Sequence, residues 1–144
     1  MHIIDAVEPL QSKIARWKSQ GHTVGLVPTM GDLHEGHLNL VLQARAMADR
    51  LVVSIFVNPL QFGPGEDFAR YPRKPDDDSG LLEKEHVDVL FTPGEAEMYP
   101  QGASAVRQLS AGELANILCG ASRPGHFDGV ATAVNRLFEI VQPD

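Results

Sequence analysis

Cysteine is almost missing from this sequence: Cys119 is the only one in 144 residues. No intrachain disulfide can form, and a reducing compartment, the cytoplasm, is the expected location. Cations are scarce as well. Twelve Lys and Arg are scattered among nineteen Asp and Glu, for a formal net charge of -7. General nucleic-acid binding needs clustered positive charge against phosphate and is not expected; a bound nucleotide would need only a local positive patch. The opening residues Met1-His2-Ile3-Ile4-Asp5 lack the basic and apolar regions of a signal peptide, and no apolar run reaches membrane-spanning length, so no membrane partner is expected. Internal repeats, low-complexity tracts and interdomain linkers are also lacking. What remains, a chain with 43% hydrophobic residues, is long enough for one domain with a core of its own.

The chain is organised around Thr23 to Val41, TVGLVPTMGDLHEGHLNLV. The β-branched, continuously apolar Thr23–Val27 predicts a strand buried on both faces, which Pro28 ends by removing a ladder donor. Thr29 to Asp32 is then a turn. His34 and His37 are three apart with Gly36 between them, so at a helix start both imidazoles share one face beside backbone N–H groups without intrahelical partners. That combination is an anion site with two extra donors, and Gly36, lacking Cβ, lets a phosphate come close to the main chain. Two other readings stay open on these residues alone. His34 could cap the helix with His37 on the surface, or the pair could bind metal, although neither Cys119 nor the acidic residues supply a third ligand at metal-site spacing.

Around this stretch the pattern alternates strand and helix. His2–Ile4 is a short strand. Asp5 and Glu8 stand at capping-box spacing before a helix whose inner face is Val7, Leu10, Ile14 and Trp17 and which ends at Gly21. The helix after the histidines has Leu38, Val41 and Leu42 as its buried stripe, with Ala44 and Ala48 beside it, and Leu51–Val57 is the second buried strand. A short return of this kind predicts a right-handed parallel βαβ unit. Asn58–Arg73, with three prolines and two glycines, is read as a functional loop. Pro75 followed by Asp76, Asp77 and Asp78 is a helix start whose acids are read as dipole partners, not metal ligands. Val87–Phe91 is the third strand, Ala103–Leu109 a short strand and Ala111–Leu118 a short helix. A last helix is capped by Asp128 and packs through Val130, Val134, Leu137, Phe138 and Val141. Together these predict an α/β fold with a doubly wound parallel sheet and its ligand at the carboxyl ends of the strands.

Pro28-Thr29-Met30-Gly31 with His34-Glu35-Gly36-His37 resembles the nucleotide-binding signature of the pantothenate synthetase (pantoate–β-alanine ligase) family, within the nucleotidylyltransferases that carry a His-x-Gly-His motif. Ser54 to Phe62 (SIFVNPLQF) looks like that family's second block, and Gly120 to Val130 (GASRPGHFDGV) like its third. The resemblance implies a Rossmann-like nucleotide-binding domain and a ligase that joins D-pantoate to β-alanine through a pantoyl adenylate, using ATP and Mg2+. It implies that Met30, Gly31, Asp32, Leu33, His34, Glu35, Gly36 and His37 bind ATP, that His34 and His37 are catalytic, that Gln61 and Asn58 bind the acid substrate, and that the protein is a homodimer. Asp32 departs from the small neutral residue common there and is read as a helix cap. Arg123 and His126 border the site without entering the catalytic set, and Cys119 is read as a small packing residue. Residues 1–144 correspond to the amino-terminal domain of that family, incomplete and without its carboxyl-terminal domain, so turnover by these residues alone is expected to be nil or nearly so. The competing expectations are another nucleotidylyltransferase, against which the Asn58–Phe62 block speaks, and a module that binds nucleotide without turnover.

Overall fold

Leu51, Val52, Val53 and Ser54 are buried in succession, which a strand shows only when both faces of its sheet are covered. A computed structural model, which describes residues 1–113 and 119–144, shows how this comes about. Four strands, β1 (His2–Ile4), β2 (Val24–Thr29), β3 (Arg50–Ile55) and β4 (Val89–Phe91), pair in parallel in the order β1-β4-β3-β2. The described helices are α1 (Val7–Ser19), α2 (Glu35–Met47), α3 (Pro75–Lys84), α4 (Glu95–Met98), α5 (Cys119–Ser122) and α6 (His126–Val141).

Each face of the sheet has its own core. On one side Leu10, Ile14 and Trp17 of α1 and Leu137, Ile140 and Val141 of α6 pack on Val24, Val52, Val89 and Phe91. On the other, Val41 of α2 and Leu82 of α3 pack on Val27, Leu51, Val53 and Leu90. Burying each such side chain is worth about 1.5–3 kcal/mol, so the sheet is fixed from both faces. The α/β, doubly wound parallel expectation holds, and it brings the turns after β2, β3 and β4 to one end of the sheet. Among the described residues no helix is long and apolar enough to cross a membrane.

Several local expectations are corrected. Pro28 lies inside β2 and does not end it. β2 is an edge strand; Thr23 and Thr29 turn their carbonyls to Arg50 and Phe56, so the intervening even-numbered residues face outward, and a missing N–H at Pro28 costs no ladder bond. Asp5 and Glu8 make no capping box. Ala6 precedes α1 without a side-chain cap, and the Val7 N–H donates instead to Glu97 Oε2 at 2.7 Å, a residue 90 positions away. In α2 only Val41 is buried, while Leu42 is exposed, because this helix touches the sheet through a narrow stripe over its edge.

Ala103–Leu109 is not a strand: a 3-10 turn occupies Ala103–Ala105, and the Leu109 N–H is taken by Thr132 Oγ1 at 2.9 Å. Asp128 does not cap α6. Gly125, at φ 79°, precedes that helix, and Asp128 in its first turn accepts the Ala111 N–H at 2.7 Å. Phe138 is exposed because the buried stripe of α6 is Gly129, Thr132, Ala133, Leu137, Ile140 and Val141, a set that turns Gly129 toward the loop after β3. The Ala111–Leu118 helix runs into residues 114–118, outside the described residues, and the side chain of Cys119 lies outside them too.

Candidate functional site

The turn between β2 and α2 is built from two consecutive left-handed residues, Gly31 at φ 83° and Asp32 at φ 52°. Gly31 is required twice over: its φ disfavours a side chain, and a Cβ there would stand 3.1 Å from both Asp78 Oδ2 and Ile55 Cγ2. Thr29 Oγ1 braces the turn from below, donating to Ser54 O at 2.8 Å and accepting the Gly31 N–H at 3.2 Å. The next two N–H groups, of Asp32 and Leu33, both donate to the Asp78 carboxylate, at 3.0 and 2.8 Å. Asp78 is 3% exposed, so this acid of α3 is no dipole partner facing solvent but a buried clamp on the turn.

The two histidines begin α2 in a reciprocal arrangement. His34 occupies the cap position and its Nδ1 accepts the Gly36 N–H at 3.1 Å, while His37 Nδ1 accepts the His34 N–H at 3.3 Å. Their ring centroids are 4.1 Å apart. A ring nitrogen that accepts a hydrogen bond is unprotonated, so each neutral imidazole carries its proton on Nε2. His34 is therefore both the cap and an available donor, and the capping and anion readings of the sequence are compatible. Asp32 is not the cap; its carboxylate pairs with Lys74 Nζ at 2.7 Å. Gly36 serves the cap as well, since a Cβ on it would come within 2.9 Å of His34 Cε1. Burial, then repulsion by His34, lowers the pKa of His37 below 6.5, against the opposing pull of Asp78 and Asp32. His37 is thus neutral near pH 7. With the other N–H groups of the segment used internally, that of His37 included in the capping box on His34, those of Met30 and Glu35 remain without a partner among the described residues.

Gln61 sits at the far side of the same sheet end, in a 3-10 turn over Pro59–Gln61. Asn58, paired with it as a substrate ligand on sequence grounds, is 0% exposed and uses its whole amide internally. Its Nδ2 donates to Gly129 O at 2.9 Å and Gln61 Oε1 at 3.1 Å, and its Oδ1 accepts from Leu60 N at 3.2 Å and Tyr99 Oη at 2.9 Å. Asn58 therefore holds Gln61 and is sealed from any ligand. Burial pushes the Tyr99 hydroxyl up to about 12, which keeps its donated proton in place.

Residues left outside the catalytic set prove to be braces. His126 Nδ1 lies 2.9 Å from the Gln61 carbonyl, and Arg123 reaches the same oxygen at 3.5 Å while pairing with Glu66. Gly129 lets α6 come so close that a Cβ would lie 2.3 Å from Leu60 O. Sequence reasoning missed Asp78, Tyr99 and Gly129. Only Asp78 left a signal, a carboxylate one helical turn before Leu82 on the face that packs inward.

A cavity of ≈ 470 Å³ lies nearby, bordered by Met30, Gly31, Ile55, Phe68, Leu90 and Pro93, but neither histidine nor Gln61 lines it. Its walls are mostly apolar, with Arg73, Lys74 and Asp78 among them, and the imidazole donors lie outside it at the start of α2. Among the described residues no three His, Cys, Asp or Glu are grouped to hold a metal ion.

Known proteins resemble this chain in sequence and fold. The family model described as pantoate-beta-alanine ligase matches residues 2–144. Pantothenate synthetase of Hydrogenovibrio crunogenus is 52% identical over the whole chain, which covers 51% of that protein. The enzyme of Syntrophomonas wolfei is 54% identical, again with 51% of it covered. A crystal structure of pantothenate synthetase from Thermus thermophilus superposes with a TM-score of 0.87 at 51% identity, over 99% of this chain and 50% of that one. One of pantoate-beta-alanine ligase from Francisella tularensis, complexed with beta-gamma ATP and beta-alanine, gives 0.90 at 43% identity, over 99% of this chain and 54% of that one. The chain thus spans about half the length of the curated relatives it matches.

Proposed function

This chain belongs to the pantoate–beta-alanine ligase family, and from that premise we propose that it supplies the triphosphate-binding side of an ATP-dependent ligase. The reaction condenses D-pantoate with β-alanine. The pantoate carboxylate attacks the α-phosphorus of ATP and expels pyrophosphate; the β-alanine amine then attacks the acyl adenylate, releasing AMP and pantothenate. No protein nucleophile is needed, only positioning and donors where charge builds up.

The observation that carries this reading is the pair of Nε2–H donors at the start of α2, each with its Nδ1 already engaged, beside the free N–H groups of Met30 and Glu35. His34 and His37 hold the phosphates, and His37, neutral and hydrogen-donating, stabilises the charge on departing pyrophosphate. The complex of the Francisella relative with beta-gamma ATP supports ATP as the nucleotide. Gln61 takes the hydroxy acid: its Oε1 is fixed by Asn58, which leaves its Nε2 donor as the part of the amide for a ligand. Mg2+ would accompany the triphosphate. Such an ion is held largely by phosphate oxygens and water, and Asp78, buried and committed to the turn, is not available to it.

His37→Ala in a protein extended to the length of its relatives should slow pantoate-dependent pyrophosphate release about 100-fold or more, with the melting temperature little changed. Gln61→Ala should raise the pantoate requirement and leave that for ATP alone. Equal pyrophosphate release by parent and His37→Ala protein would remove the assignment. A second reading, nucleotide binding without turnover, is favoured for residues 1–144 by themselves, because the donors they bring lie on one side of the phosphates. Its check is pyrophosphate release by these residues alone, expected to be at background.

A further inference from the structure

The anion-binding turn carries a negative charge of its own. Asp32 lies two residues before His34, its carboxylate partly exposed, and a unit negative charge so near a polyphosphate opposes binding. The other acid against the turn, Asp78, is buried and answered by two N–H donors. Among the described residues Asp32 has one cationic partner, Lys74. Its Nζ is 2.7 Å from Asp32 Oδ1, at the end of the loop after β3 and immediately before α3. We propose that Lys74 is a specificity-determining counter-charge: by cancelling Asp32 it sets the potential of the turn and thereby its affinity for a triphosphate. The affinity part rests on the ATP reading above; the potential part does not.

Geometry and charge agree on this. The groups bearing on His37 are His34 on its own helix, Asp32 in the turn and Asp78 on α3, and the two acids act on it in the same direction. Asp32 in turn raises the pKa of Lys74, through a hydrogen bond and then its charge, so the lysine stays protonated while paired. Both side chains are substantially exposed, 57% for Lys74 and 41% for Asp32, so the pair adds little to stability and its substitution leaves the fold intact. What it changes is the field at the histidines.

The test is a charge cycle of Lys74→Met, Asp32→Asn and the double variant, read in two ways. NMR titration of the His37 imidazole needs no ligand. Lys74→Met should raise its pKa by exposing Asp32, Asp32→Asn should lower it by leaving Lys74 unopposed, and the double variant should return it to near the parent. Equilibrium titration with ATP and with inorganic tripolyphosphate reads affinity. Lys74→Met should weaken both about three- to tenfold, Asp32→Asn should not weaken either, and the double variant should return to near the parent. An unmoved His37 pKa in Lys74→Met overturns the proposal. So does a double variant as weak as Lys74→Met, which would mean that the lysine contacts the ligand directly. Failure of the parent to bind either polyphosphate would instead sink the ATP reading, and the His37 titration would still decide whether the pair sets the potential.

Discussion

The turn after β2 and the loop after β3 meet at the same end of the sheet but are held by opposite means. In the first, the side chains proposed to meet the triphosphate also make the local structure: His34 caps α2, His37 backs it, and these bonds span two or three residues. In the second, Gln61 is the proposed substrate ligand and other residues place it. Tyr99 lies 41 residues from Asn58, Gly129 lies 71 from it, and His126 lies 65 from Gln61. A motif readable in a short window is one whose stabilising partners lie within that window. The loop's amide is equally well fixed, but by bonds that only the folded chain brings together.

The largest effect should come from the non-local side. Gly129→Ala places a Cβ against the Leu60 backbone, where no side chain can move aside, and should cost about 3 kcal/mol or more of stability by denaturant unfolding. A loss below about 1 kcal/mol would mean that α6 does not fasten this loop and would dissolve the contrast. Asp78→Ala sharpens the comparison from the other direction, because Asp78 is a buried, distant brace on the local turn, 45 and 46 residues from the N–H groups that it holds. Removing it leaves two N–H groups unanswered and should cost about 1–3 kcal/mol. The nucleotide affinity of this variant should fall along with its stability, and unchanged affinity would show the turn to be self-supporting.

The smallest effect is pH. His37 has a folded pKa below its ordinary 6.5, so the unfolded chain binds the proton more readily and acid favours unfolding. Its contribution is fully present above 6.5 and is lost as pH falls through that value toward the folded pKa. Thermal melts from pH 8 to 5 should show this slope in the parent and a shallower one in His37→Ala.

Sequence legibility follows the same division. The buried strands, the helices on both faces and the His34/His37 pair are legible because periodicity and motif spacing are local. Pro28 reads as a terminator in sequence because its effect depends on which flank of β2 is paired, a property of strand order. Asp128 and Asp5 have neighbourhoods that permit capping roles, but caps compete with distant partners: Asp128 finds Ala111, and the first N–H of α1 finds Glu97. Asp76, Asp77 and Asp78 look alike in a row of acids. Only α3, packed through Leu82, separates the buried clamp from its exposed neighbours.

The outer flank of β2 has one more consequence, for colloidal behaviour. An open strand edge is hazardous when it offers an unbroken row of donors and acceptors on which another chain can polymerise. Here the outward positions are Val24, Leu26 and Pro28. Val24 is already engaged in both directions, its N–H with Asp144 Oδ2 and its carbonyl with the Asp144 N–H, each at 2.9 Å. Pro28 has no N–H to give. Within β2 the outer edge is thus reduced to the N–H and carbonyl of Leu26 and the carbonyl of Pro28, a broken row that acts more as an indexed slot than as a seed for aggregation.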